Sequence, residues 1–504
     1  MVTNTDISTD IESALGGDSL LVVSNRQPYK HSYDDDGTIT VDRPAGGLTA
    51  GIDPVMQKTD GTWVAWGDGD ADEEIVDEDD CVRVPPESEA YTLKRVWLTE
   101  EEVEDYYYGY SNQVLWPVCH GGMWKTKFAN EFWTTYRDVN ETFADAVVEQ
   151  YDDDSLIWFQ DYHFGLAPRM VREELPEAFL MHFWHIPWPS WDSVRSLPNH
   201  EEVLDGLLGN DLLGFHTDSY CENFLHCVDE AFETAFVDLD GKKVRYDGHT
   251  TYVESFPLSV DFDDIASKSA EADDEWWGEF RDSYGIGDGV QVAVGIDRLD
   301  YTKGIPERLD ALARLWEEHP EWRGELTFFQ KGSPSRSRIS DYKELQEEVE
   351  EAVARINRRF GTDDWQPVIY TEEMLSETDL YGLCRHSDVA LVSPLRDGMN
   401  LVAKEYVAAQ HDEDGVLILS NQAGAHEEFG DDAVTINPRD IDEFVEQLQY
   451  ALTMEDDERG ERMRRLRDTV EEYDLFAWLE DSLTTARDVK RQRDAEASEN
   501  SQTR

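Results

Sequence analysis

Two cations stand five positions apart in Arg298-Leu-Asp-Tyr-Thr-Lys303-Gly304, directly after the apolar run VQVAVGID. Arginine offers a planar two-pronged donor and lysine a mobile point charge, so the pair can clamp a diphosphate. The glycine lets the backbone turn. The competing reading is a pair of surface salt bridges to nearby carboxylates. A second string, SPLRDGMNLVAKEYVAAQ (Ser393 to Gln410), ends an apolar run in a Pro and a Gly-bearing turn. An amphipathic helix then starts near Asn400 or Leu401, and the N–H groups at a helix start favour an anion. Asp397 and Glu405 lie eight positions apart, one before the helix and one inside it. Glu405 can thus face a ribose while the loop amides face sugar and phosphate. The plainer alternative has Asp397 capping the helix and Glu405 pairing with Arg385 or Lys404.

These residues need elements to hold them. Short apolar runs alternate with longer charged, amphipathic stretches, the signature of βα repetition around parallel sheets. Expected strands include Leu20–Val23, Leu156–Phe159, Phe179–Trp184, Leu212–Phe215, Val290–Gly295, Leu326–Gln330, Val368–Tyr370, Val389–Val392 and Val416–Leu419, with helices over Ser340–Phe360 and Ile441–Leu452. Polar residues follow several of the runs: Ser24-Asn25-Arg26, Asp161 to His163, His185, Arg298, and Arg396-Asp397-Gly398. Ligands of open α/β sheets bind outside the carboxyl ends of the strands, and several such residues in one relative place outweigh the capping role each has alone. The fold class is therefore α/β with two doubly wound, Rossmann-like domains. Expected boundaries are a tail over 1–18, an N-terminal domain over 19–260, a C-terminal domain over 261–474, a helix over 475–491 packing back on the N-terminal domain, and a polar tail over 492–504. The acidic stretch Asp261–Glu279 marks the junction.

The chain has 504 residues, with 111 Asp and Glu against 44 Lys and Arg, a net charge of −67. The hydrophobic fraction of 40% is too high for a disordered acidic chain, so it folds. Acids scattered along the whole sequence make an acidic surface that repels phosphodiester backbones and anionic lipid, which argues against nucleic-acid and membrane partners. Such self-repulsion suits a salty cytoplasm, where ions screen it. The five cysteines include no CxxC pair, so neither a disulfide framework nor a thiolate zinc site is expected. No basic region followed by an apolar stretch opens the chain, and no apolar run approaches a membrane span. The expected location is cytoplasmic.

The Ser393–Gln410 string resembles the donor site of the trehalose-6-phosphate synthase family, retaining glucosyltransferases of the two-Rossmann GT-B type. Other matching pieces follow in order: VVSNR (Val22–Arg26), AGGL (Ala45–Leu48), YYYGYSNQVLWP (Tyr106–Pro117), QDYH (Gln160–His163), HIPWP (His185–Pro189), DLLGFHT (Asp211–Thr217), DRLDYTKG (Asp297–Gly304) and PSR (Pro334–Arg336). The resemblance runs from about residue 20 to about 485, and the charge suggests a halophilic member. It implies two domains facing a cleft, a nucleotide-glucose donor and glucose 6-phosphate as acceptor, with no cofactor. On the donor side it implies Arg298 and Lys303 at the diphosphate, and Glu405 at the ribose, with backbone groups of Leu401 and Val402. Asp397, Gly398, Met399, Asn400 and His185 would meet the transferred glucose, Gly46-Gly47 would form a mobile loop over the donor, and Leu375 would lie by the base. On the acceptor side, Arg26, Tyr107 and Arg336 would bind the 6-phosphate, Asp161 the hydroxyls and Trp116 the sugar face. Arg298, Lys303, His185 and Asp161 carry the catalytic assignment.

The resemblance also implies a front-face mechanism in which the departing phosphate oxygen takes the acceptor proton. That suits a sequence offering cations and loop amides but no evident nucleophile and base pair. With no DxD-like signature in the donor region, no metal is expected. Three strings depart from the family: VCHGGMW after Trp116-Pro117, SFPLSVDF (Ser255–Phe262) and SNQAGAHEEF (Ser420–Phe429). The first keeps open a relative that uses glycerol 3-phosphate and makes glucosylglycerol phosphate. A non-catalytic sugar-phosphate sensor is the rival from another class, opposed by the intact Arg298, Lys303, Asp397 and Glu405. The donor base, effectors and oligomeric state are left open, a homo-oligomer among the possibilities.

Overall fold

Along Gln291–Arg298, Val292 and Val294 enter one apolar core while Ala293 enters another, as side chains on a strand must alternate. Val389 and Leu391 against Ala390 and Val392, and Ile418 against Leu417 and Leu419, sort the same way. A sheet buried on both faces follows, and burial on both faces explains why its strands read as unbroken apolar runs. The computed structural model describes residues 14–43 and 47–502. It has the α/β architecture expected from the sequence, and divides into two units. One holds the residues up to Pro257 and those from Phe476 on, and the other spans Leu258–Leu475.

The first unit contains β1 (Ser19–Arg26), β2 (Lys30–Tyr33), β3 (Ile39–Asp42), β4 (Thr62–Trp66), β5 (Cys81–Val84), β6 (Tyr91–Val96), β7 (Ser155–Gln160), β8 (Phe179–Phe183), β9 (Leu212–Phe215), β10 (Phe236–Asp238), β11 (Lys243–Tyr246) and β12 (His249–Ser255). Ten of them form one sheet in the order β10-β11-β12-β9-β8-β7-β1-β4-β6-β5, and β2 and β3 pair as a hairpin. Strands β4, β1, β7, β8, β9 and β12 run parallel, so their carboxyl ends share one edge. A helix over Leu475–Gln502 completes this unit. Its Trp478, Leu479, Leu483 and Ala486 are fully buried, and the Trp478 ring stacks on Trp158 of β7 at 5.6 Å. The helix does not stop near residue 491, where a polar tail was expected. Arg493 anchors its next turn by donating to the Ala178 carbonyl at 2.9 Å and to the buried Asp211 carboxylate at 3.3 Å.

The second unit has β13 (Gln291–Arg298), β14 (Leu326–Ser333), β15 (Val368–Thr371), β16 (Val389–Val392), β17 (Val416–Ser420) and β18 (Val434–Ile436), ordered β15-β14-β13-β16-β17-β18 and all parallel. Helices Ile305–Glu318, Ser340–Phe360 and Ile441–Leu452 cover one face, and Phe262–Glu271, Glu377–His386, Leu401–Ala409 and Asp456–Glu472 the other. The acidic stretch read as a junction is instead two helices, Phe262–Glu271 and Asp274–Tyr284. Asp261 and Asp273 cap them by accepting from backbone N–H groups. Its acids are thus partly helix-start signals, favourable beside free N–H groups.

Candidate active site

The second unit brings the two chemistry-bearing strings together. After β13 the chain makes a single turn over Tyr301–Lys303 and reverses at Gly304, whose φ is +65°. A Cβ there would lie 2.1 Å from the Ser393 carbonyl oxygen, so only glycine lets this turn rest on the segment after β16. Leu395 N–H donates to the Thr302 carbonyl at 2.7 Å, and the Lys303 ammonium donates to Asp397 Oδ2. Asn400 donates to the same oxygen at 3.0 Å from a left-handed backbone, φ +74°, immediately before the helix Leu401–Ala409. The first N–H groups of that helix, at Leu401 and Val402, have no carbonyl one turn back within it. Gly398 and Met399 rest on the Ala423-Gly424-Ala425 segment after β17. A Cβ on Gly424 would lie 2.0 Å from the Gly398 oxygen, and Ala425 N–H donates to Met399.

Glu405 sits in the second turn of this helix, where burial pushes its carboxyl up to about 7. The plainer partners are engaged elsewhere: Lys404 pairs with Glu428 at 2.7 Å and Arg385 with Asp412 at 2.8 Å. Among the described residues Glu405 makes no ion pair. Leu375, in the segment between β15 and the helix Glu377–His386, packs against the core on the same side as Met399 and Leu401. Arg336 joins the cluster through Asp300. Its side chain is 5% exposed, and it donates to Asp300 Oδ2 at 3.1 Å and to the Tyr342 hydroxyl at 2.5 Å. Asp300 also accepts from Thr302 N–H at 3.0 Å, so one carboxylate orders both the Arg298–Lys303 turn and Arg336.

Sequence reasoning passed over Asp300, although it lies within DRLDYTKG, and Arg308. The Arg308 guanidinium is fully buried and donates to Asp297, Gln330 and Ser393, at 2.6, 2.8 and 2.9 Å. It ties β13, β14 and the segment after β16 together beneath the turn. No local pattern marks it, because its partners are scattered over nearly a hundred residues.

In the first unit, Arg26 ends β1 and donates to the Tyr107 hydroxyl at 3.4 Å. Tyr107 belongs to a π-helix over Val103–Leu115, a wide coil in which Asn112 and Gln113 side chains donate to carbonyls five residues back, at 2.7 and 2.9 Å. Its ring lies parallel to His163 at 5.8 Å, and His163 Nδ1 is 3.8 Å from Asp161 Oδ2. Asp161 follows β7 at φ +76° and caps the turn that carries Tyr162 and His163. Trp116 stacks on His120 at 4.0 Å and meets Tyr162 at 5.9 Å. His185, just beyond β8, shares a 2.8 Å hydrogen bond between Nε2 and Gln160 Oε1. Burial, then the neighbouring His216, His182 and His163, hold its pKa well below the ordinary histidine range, so its ring is neutral at pH 7. Arg26, Tyr107, Asp161, Trp116 and His185 thus occupy one region at the carboxyl ends of β1, β7 and β8.

Of the mobile-loop pair, Gly46 lies outside the described residues, and Gly47 opens the helix Gly47–Thr59. Among the described residues no group of three or more His, Cys, Asp or Glu is placed to hold a metal ion, and no helix is long and apolar enough to cross a membrane. The five cysteines are free thiols.

The model of glycosyltransferase family 20 matches residues 18–488. The bifunctional trehalose-6-phosphate synthase/phosphatase of Thermoproteus tenax is 36% identical over 94% of this chain, which spans 64% of that relative's length. The alpha,alpha-trehalose-phosphate synthase [UDP-forming] of Candida albicans is 33% identical, over 92% of this chain and 95% of its own. Among solved structures, the E. coli protein of the trehalose-6-phosphate system bound with UDP-2-fluoro glucose superposes with a TM-score of 0.83 at 32% identity, covering 94% of this chain and 99% of that one.

Proposed function

This chain belongs to glycosyltransferase family 20, and we propose that it moves glucose from UDP-glucose onto the anomeric hydroxyl of glucose 6-phosphate, giving α,α-trehalose 6-phosphate and UDP. A UDP-forming trehalose-phosphate synthase, as the Candida relative is named, must join a glucosyl group to a glucose phosphate. The observation that carries the reading to this chain is the Lys303–Asp397 contact. It holds a diphosphate-binding cation beside a sugar-binding carboxylate at the start of the helix Leu401–Ala409.

In this reading Arg298 and Lys303 take up charge on the β-phosphate as its bond to the glucosyl carbon breaks. The released phosphate oxygen accepts the proton of the attacking acceptor hydroxyl on the same face, and the new glycosidic bond keeps the donor's configuration. Glu405 accepts from ribose hydroxyls, and Asp397, Asn400 and the Gly398-Met399 backbone hold the glucose. The neutral His185 hydrogen-bonds the same sugar without adding charge. Arg26, Tyr107 and Arg336 bind the acceptor phosphate, Asp161 its hydroxyls and Trp116 its apolar face. The acidic surface fits an enzyme of a salt-rich cytoplasm, where the phosphorylated disaccharide would serve as precursor of an osmoprotectant once its phosphate is removed.

The test is a matrix of UDP-, GDP- and ADP-glucose against glucose 6-phosphate, glucose, fructose 6-phosphate and glycerol 3-phosphate in molar salt, with products read by mass. Trehalose 6-phosphate as the main product supports the reading. Glucosylglycerol phosphate would favour the acceptor suggested by the altered wall after Trp116, and no product from any pair would return the chain to the sensor class.

A further inference from the structure

Lys331 is a buried cation with no function in the reading above. It lies near the end of β14, 8% exposed, in a chain with 111 carboxylates, yet among the described residues it forms no ion pair. Its ammonium donates to the Gly332 carbonyl at 2.7 Å and to the Ser333 hydroxyl at 2.9 Å. The acid whose charge it feels, Glu372, is occupied, accepting from Gln346 at 2.8 Å and from the Tyr370 hydroxyl at 2.5 Å. Burying an ammonium without a carboxylate is costly, and a neutral oxygen pair offsets only part of that cost. The third donor site of the ammonium is open to another acceptor.

The register fixes where it points. Lys331 pairs with Ile296 and Ser333 with Arg298, and Phe329, two residues before Lys331, enters the core that also receives Ile296, Leu375, Leu401 and Met399. Alternation along the strand therefore puts Lys331 on the sheet face that carries Arg298, Leu375 and the Glu405 helix. The strand order adds a direction. β14 lies one step from β13 towards β15, away from the Lys303–Asp397 contact and towards the segment that carries Leu375. Across that face the cations at β13 serve the diphosphate, and the next group towards β15 is the base.

We propose that Lys331 is a specificity-determining residue of the nucleotide site. Its ammonium donates to a ring carbonyl oxygen of the donor base, which favours uracil over adenine, whose exocyclic group is itself a donor. This assignment rests on the nucleotide-sugar reading above. Ser333 orients the ammonium and acts through it as a positioning residue.

The experiment is calorimetric titration of the full chain with UDP and with ADP, for wild type, Lys331→Met and Ser333→Ala, in molar potassium chloride, with thermal unfolding of each variant alongside. The wild type should bind UDP at least about ten-fold more tightly than ADP. Lys331→Met should weaken UDP by about ten-fold or more, the loss of one hydrogen bond to a charged donor, and ADP by less than about two-fold. Ser333→Ala should move the same ratio in the same direction by a few-fold, which keeps the test alive if the methionine variant unfolds. Equal weakening of both nucleotides would place Lys331 on the shared diphosphate, and no weakening would leave it a mere cap on the Gly332 carbonyl; either overturns the proposal. A wild type that binds UDP and ADP equally tightly also overturns it. A wild type that binds neither nucleotide overturns the transferase reading itself.

Discussion

The Lys303 ammonium donates to Asp397 Oδ2 across 94 residues of chain, so a cation and an anion of the candidate site neutralise each other. If Lys303 serves the leaving diphosphate and Asp397 the glucose, removing the carboxylate charge frees the cation. Asp397→Asn should bind UDP as tightly as wild type or more so, while kcat falls by about 100-fold through loss of a sugar contact. Titration with UDP beside steady-state rates separates the two. A parallel fall in UDP affinity and turnover would make the contact a structural brace.

Arg298 stands at the end of β13 on the face assigned to the nucleotide. Arg298→Ala should lower kcat by on the order of 100-fold, as for a lost transition-state donor, with a smaller change in acceptor KM. An effect confined to acceptor KM contradicts the assignment.

Glu405 gives a pH signature. Its carboxyl ionises near 7 in the folded chain against 4.5 ordinarily, because burial disfavours the charge. If Glu405 accepts from ribose hydroxyls it must be ionised to do so, and donor affinity should then rise as pH increases through about 7 and level. Glu405→Gln should flatten that profile and weaken donor binding by roughly 1.5–3 kcal/mol at pH 8. Stability runs the other way. Between 4.5 and 7 the folded state keeps a proton that the unfolded state has lost, so this residue's contribution to stability falls as pH rises across that window. Calorimetric pH series on both proteins check each slope.

Arg336 and Asp300 must be tested together. Arg336→Ala should cut kcat/KM for glucose 6-phosphate by about 100-fold, with donor binding within about two-fold, and free glucose should be a very poor acceptor of the wild type. The single variant also removes the cation beside the buried Asp300, at a cost of about 3–5 kcal/mol. Arg336→Ala in an Asp300→Asn background should regain stability but not acceptor use. Near-normal kinetics in molar salt would reduce Arg336 to neutralising its neighbour.

The net charge of −67 makes self-repulsion a bulk property of the folded chain. Its thermal midpoint should rise by on the order of 10 °C from about 0.1 M to 2 M potassium chloride, as screening shortens from about 10 Å to below 3 Å. Equal midpoints would remove the case for a salt-adapted enzyme.

The parallel strands were legible because burial on both faces leaves runs such as LIWF and VALV no room for polar residues. Helix starts were legible too: the segment at Leu401 begins where the Gly-bearing turn ends. The hairpin of β2 and β3 was not, since KHSY and ITVD are mostly solvated and their pairing rests on backbone bonds that leave no composition signal. At the candidate site, sequence named the groups proposed to touch substrate but not the groups that hold them. Asp300, Arg308 and Gln160 act through contacts between distant segments, and only a folded chain brings Arg308 to Ser393 or Gln160 to His185.

The helix that carries Trp478 belongs to the first unit, although the whole second unit precedes it in the chain. During synthesis, strands β7 and β8 leave the ribosome long before the ring that stacks on Trp158 and meets Phe183 edge-on at 5.1 Å. At about 5–20 residues per second, the nascent first unit waits on the order of ten seconds or more with an apolar slot uncovered, while the second unit already has all of its strands. The first unit is therefore completed only after the second unit has been translated. A chain stopped just after Leu475 would carry a complete second sheet beside a first one still missing its closing wedge, a species suited to capture by a chaperone rather than to catalysis.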